Sequence, residues 1–75
     1  MKTPHLPKSL IKTAARHARI CTKLGFDLPD TAVAIDEKGV YQLWPASAYL
    51  DPVWPWSPPT DDLIAFVDQH GNVTS

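Results

Sequence analysis

Val33-Ala34-Ile35-Asp36-Glu37-Lys38-Gly39 returns 32 residues later as Ala65-Phe66-Val67-Asp68-Gln69-His70-Gly71. In each copy three apolar residues lead to Asp, then two polar residues, then Gly. Asp satisfies turn amides with its own side chain, and Gly supplies the positive φ of a tight reversal. Val40-Tyr41-Gln42-Leu43-Trp44 follows the first copy, so residues 32–44 read as a β-hairpin with Glu37-Lys38-Gly39 as its loop. Strand alternation puts Val33 and Ile35 on one face and Ala32 and Ala34 on the other.

The second copy reads as a hairpin over 63–74, with strands at 63–68 and 72–74. A helix over 61–70 competes for the same residues: Thr60 would be its N-cap, Asp61 and Asp62 its first turn and Gly71 its stop. Leu63, Ile64, Phe66 and Val67 suit either period. Ile64, Phe66 and Val67 are branched or aromatic and favour the strand.

Upstream of the hairpins lies a helical pattern over 8–24. Ser9 is a candidate N-cap, with Pro7 also suited to a first-turn position. Gly25 is the stop, and Phe26 is placed to fold back toward Cys21 as in a Schellman ending. At about 100° per residue, Leu10, Ile11, Ala14, Ala15, Ala18, Cys21 and Leu24 share one arc. Lys8, Lys12, Arg16, Arg19 and Lys23 form a narrow stripe opposite. Between the hairpins, residues 45–59 hold five prolines together with Tyr49, Trp54 and Trp56. Proline at this density predicts extended, polyproline-like backbone and forbids a central strand.

The expected fold is α+β in one small domain of 75 residues. One amino-terminal amphipathic helix packs on a small antiparallel sheet of two hairpins, joined by the long Pro/Trp loop. Ile11, Ala14, Ala18 and Cys21 should lie on the sheet. A chain of this size buries only about 60% of its unfolded surface, which leaves little room for an enclosed active-site cavity.

Charge is sorted along the chain. Residues 1–24 contain six of the seven Lys and Arg and no carboxylate, whereas residues 25–75 contain all eight carboxylates and Lys38 alone. Such asymmetry bears on partners more than on fold. The basic stripe reads as a solvated helix face, a protein contact or a phosphate contact. It lacks the interleaved acids that support helices, and Lys8 and Lys12 sit at the positive end of the helix dipole. The carboxylates serve turns or form an anionic docking surface, with Asp36, Glu37, Asp61, Asp62 and Asp68 as the candidates. The aromatic loop residues Tyr49, Trp54 and Trp56 either complete the core or act as binding anchors.

His17 and Cys21 are four apart on the helix, but too few other nitrogen or sulfur donors accompany them to suggest a metal site. A mid-helix cysteine on the apolar arc is also a poor nucleophile. No Gly-rich phosphate loop, serine elbow or paired-carboxylate motif is present. No catalytic residue, metal or cofactor is therefore expected, and the chain is read as a non-enzyme. The lone cysteine and the lack of an apolar run near ~18 residues fit a cytoplasmic protein without a membrane span.

These readings lead to a small protein-binding inhibitor or adaptor with a charge-polarised surface. Phage and mobile-element proteins that block a host nucleic-acid-handling complex, in the manner of an anti-CRISPR protein, are of this kind. The expected partner is another protein with a positively charged nucleic-acid groove, and the expected state a monomer or weak homodimer. The alternative is a small nucleic-acid-binding or transcription-regulatory protein that uses the basic helix face.

Overall fold

The computed structural model describes residues 6–26, 28–51 and 59–74. Helix α1 (Lys8–Leu24) begins without a side-chain cap. Pro7 occupies the N-cap position, and its carbonyl accepts the Ile11 amide at 3.0 Å. Ser9, the expected cap, instead lies within the first turn, where its carbonyl accepts the Thr13 hydroxyl. Proline suits the entry because its φ is fixed and it brings no amide that a cap would have to satisfy. The other end is as expected. Gly25 adopts φ 80°, its amide donates to the Thr22 carbonyl, and the Phe26 amide donates to the Cys21 carbonyl. These two bonds make up a Schellman ending.

Strands β1 (Thr31–Ile35), β2 (Tyr41–Pro45), β3 (Asp62–Val67) and β4 (Val73–Thr74) form one antiparallel sheet in the order β2-β1-β3-β4. The two repeats are therefore two hairpins laid side by side. The helical alternative for residues 61–70 is excluded, since they form β3 and its turn. Each strand begins or ends one residue away from the position read from sequence.

Val33 pairs with Ala65 at the centre. These two residues hold the same place in the two copies of the repeat, so the sheet has a local pseudo-dyad through that pair. A bulge breaks the symmetry. Val33 opposes Ala65 and Ala34 opposes Leu63, which leaves Ile64 as the extra residue. The added residue keeps Ile64 packed against the core instead of alternating away from it.

The core lies between α1 and the sheet and contains Leu6, Ala14, Ala15, Val33, Ala65 and Val67, flanked by Leu10, Ile11, Leu43, Ile64 and Val73. Alanines at the helix contact let the backbones approach closely. Leu24, expected on the buried arc, is instead 70% exposed in the last turn. Both faces of β1 are closed. Ala32 and Ala34 lie opposite Trp44, Phe66, Gln42 and Leu63 in register, and none of their own surface is exposed.

A polar clamp joins helix and sheet. The fully buried Thr31 donates its hydroxyl to the Ala14 carbonyl at 3.0 Å, and His17 Nδ1 lies 2.9 Å from the same oxygen. Because the hydroxyl proton is committed to Ala14, the ring nitrogen must donate. This assigns the Nδ1–H tautomer to His17.

The expected extended connection is not extended at its start. Pro45 ends β2, and Ser47–Leu50 form one helical turn, α2. Pro45 is tolerated there because β2 is an edge strand. The Ala46 amide donates to the Asp30 carbonyl at 2.8 Å, which ties this turn to the entry of β1.

Candidate interaction surfaces

The two hairpin turns share one construction. Gly39 and Gly71 adopt φ of 79° and 83°, and their amides donate to the carbonyls of Asp36 and Asp68. Asp36 Oδ1 accepts the amides of Lys38 and Val40, while Oδ2 accepts the Gln42 side chain. Asp68 Oδ1 accepts the amides of His70 and Asn72, while Oδ2 accepts the Asn72 side chain. For Asp36 the Val40 amide, then Gln42 and Lys38, hold the carboxyl below its usual range. For Asp68 the Asn72 amide and side chain do the same, followed by His70. Both carboxylates stay charged at neutral pH and are oriented by their own turns.

Because β1 and β3 are antiparallel, the two turns lie at opposite ends of the sheet. The pairing of Ile35 with Asp62 brings the first turn beside the entry of β3. Asp36, Glu37, Asp61 and Asp62, with Ile35, Lys38 and Thr60, line an open groove of about 510 Å³ there. Four of the five acidic residues singled out from sequence thus share one site, and Asp68 lies at the other end. Asp61 Oδ2 accepts the Trp44 indole N–H at 3.2 Å, so a tryptophan on β2 fixes one wall.

Tyr49 belongs to the same end. Its hydroxyl donates to the Asp61 carbonyl at 3.1 Å. Burial, followed by the charges of Asp61 and Asp62, pushes its phenol pKa upward. The hydroxyl bond ties α2 to the residue that precedes β3, and Tyr49 itself is half-buried. Trp54 and Trp56 lie outside the described residues.

The second turn leans on the helix. A Cβ placed at Gly71 would meet Ile11 Cγ2 at 3.6 Å. Lys12, Arg16, Arg19 and His70 line a cleft of about 450 Å³, with Ile11, Ala15 and Gly71 beneath them. Lys8, Lys12, Arg16, Arg19 and Lys23 are all exposed, and among the described residues no carboxylate pairs with them. Sequence reasoning missed His70 as a member of this cleft, because nothing local to the second turn shows that it lies against α1.

His17 and Cys21 do not form a reactive pair. Cys21 Sγ is 3.7 Å from His17 Nδ1, and that nitrogen carries the proton given to Thr31. The sulfur can then be only a weak acceptor. Burial raises the Cys21 pKa and lowers that of His17, so both neutral forms are favoured. Among the described residues no three metal-ligating side chains converge, and no helix is long and apolar enough to cross a membrane. The chain matches no known protein family, no curated protein and no solved structure.

Proposed function

We propose that this chain is a non-enzymatic binding protein that sets its acidic groove against a positively charged groove of another protein and blocks it. The observation carrying this reading is the convergence of Asp36, Glu37, Asp61 and Asp62 around one open groove. Two of these carboxylates are held in place, Asp36 by turn amides and Asp61 by Trp44. Oriented anionic groups of this kind imitate what a phosphate-binding groove is built to accept, and complementary potential supplies rate and specificity. A compact phage or mobile-element inhibitor of a host nucleic-acid-handling complex, such as a CRISPR complex, would act in this way.

The test is displacement of target DNA from purified CRISPR effector complexes, followed by gel shift. The protein should release or exclude the DNA, and Asp61→Lys with Asp62→Lys should abolish the effect. Displacement that survives the double reversal, or a complete lack of displacement across the effector types, overturns this reading.

A further inference from the structure

We infer a second site at the other end of the molecule. The row Lys8, Lys12, Arg16, Arg19 and Lys23, with His70 across the cleft, binds the phosphate backbone of a single-stranded nucleic acid and does not read its bases. The inference is independent of the acidic-groove reading.

Spacing is the first argument. The five cations succeed one another at intervals of four, four, three and four residues. On a helix this places them within a sector of about 80°, one every ~6 Å along the axis. That is a straight, single-file row, about the step between phosphates of an extended strand. A duplex would present a second backbone, and no second row exists on α1 to meet it.

Helix stability does not account for the row. The first turn of α1 contains no acidic residue, and Lys8 and Lys12 stand at its positive pole. All five cations are exposed and unpaired among the described residues. An arrangement that costs the helix something and gains no internal partner fits an external anion.

The cleft also has a second wall. The turn carrying His70 and Gly71 stands beside Lys12, Arg16 and Arg19, over a floor formed by Ile11 and Ala15. Asp68 in that turn is the nearest carboxylate in sequence, and its two oxygens accept three bonds from the turn itself. The remaining acidic cluster lies at the far end of the sheet, so its repulsion falls on the other side of the molecule. Among the described residues no Phe, Tyr or Trp lines the cleft, and the imidazole of His70 is its one ring. Without a stacking platform the bases contribute little, and binding is set by the backbone.

The experiment is fluorescence anisotropy of labelled oligo-dT and oligo-dA titrated with the intact protein at 50 and 200 mM salt. With about four phosphates neutralised, the log–log salt slope is about −2.8, so affinity falls about 50-fold over that range. The two sequences should bind alike. Neutral replacement by Lys12→Gln, Arg16→Gln and Arg19→Gln should flatten the slope by about 2 while circular dichroism stays unchanged. Asp61→Lys with Asp62→Lys should leave binding intact or tighten it, which separates this site from the acidic groove. The inference is overturned by no binding at 50 mM salt, by an unchanged slope in the Gln variant, or by tighter binding of a duplex of equal length. Binding to anionic lipid vesicles in preference to the oligonucleotides overturns it as well.

Discussion

Replacing Thr31 by Val tests the clamp between helix and sheet with little change of shape. The hydroxyl makes two bonds, one given to the Ala14 carbonyl and one taken from His17 Nδ1. Each such bond is worth about 1 kcal/mol net. The added methyl recovers up to about 0.8 kcal/mol of burial, so the expected loss is about 1–2 kcal/mol. In a urea melt with a slope of about 1 kcal/mol/M, the midpoint falls by about 1–2 M. A double-mutant cycle with His17→Leu should return a coupling of about 0.5–1 kcal/mol, since only one of the two bonds involves the ring. Nitrogen NMR of the imidazole should report the Nδ1–H tautomer in the native protein and lose that preference in the Thr31→Val variant. A Thr31→Val stability within about 0.3 kcal/mol of the native value, or zero coupling to His17, refutes the reasoning.

Ala18 is buried in α1 and only 1% exposed, so Ala18→Leu should overpack its surroundings and cost about 1–3 kcal/mol in the same melt. Gly39→Ala and Gly71→Ala should each cost about 1–2 kcal/mol, because both glycines sit in the left-handed region. The Gly71 site leaves room for the methyl, so equal losses at the two turns would confirm backbone strain as the cause, and a much larger loss at Gly71 would refute it. Acid should destabilise the protein in two stages. Burial lowers the His17 pKa from 6.5, so its contribution is complete above about pH 6.5 and is lost as pH falls through that value to the folded pKa. Asp36 and Asp68 are lowered from 3.8, so their contribution is held above that value and is lost as pH falls through their folded pKa values. His17→Leu should remove the upper stage only, and a urea midpoint that is flat from pH 7 to 5 would show the clamp to be insensitive to the ring charge.

Local chemistry made most of the fold readable. Asp36 with Gly39 and Asp68 with Gly71 are turns whose hydrogen bonds close within a few residues, so each hairpin could be recognised without its neighbours. Gly25 marked the end of α1 for the same reason. What could not be read depends on contacts far apart in sequence. The Ile64 bulge arises where β3 must fit both β1 and the helix. Leu24 fits the apolar arc by angle, yet it is 70% exposed while Cys21 in the same turn is buried, a difference that its angle on the helix does not reveal. The proline count of the connection suggested extended backbone, but only Pro45 lies in the part that turns, and Ala46–Leu50 contains no proline to oppose a helical turn. At the acidic groove the two dipeptides were visible as concentrations of charge, and their meeting required the β1–β3 register. His70 entered the basic cleft through the same register, which sets the second turn beside α1.

The pseudo-dyad through Val33 and Ala65 has a consequence for assembly. Two hairpins of like construction, joined through a connection of more than a dozen residues, are each able to pair with the like strand of a second chain. A central β1–β3 pair could then be exchanged for a β1–β1 pair between molecules, giving a swapped dimer or a lengthening sheet. The bulge at Ile64 opposes this. Among the described residues it is the one register shift between β1 and β3, and the extra residue, Ile64, packs against the core. Removing Ile64 would make the two hairpins nearly equivalent and the choice of partner ambiguous. A single bulged residue therefore makes two hairpins of like construction unequal partners.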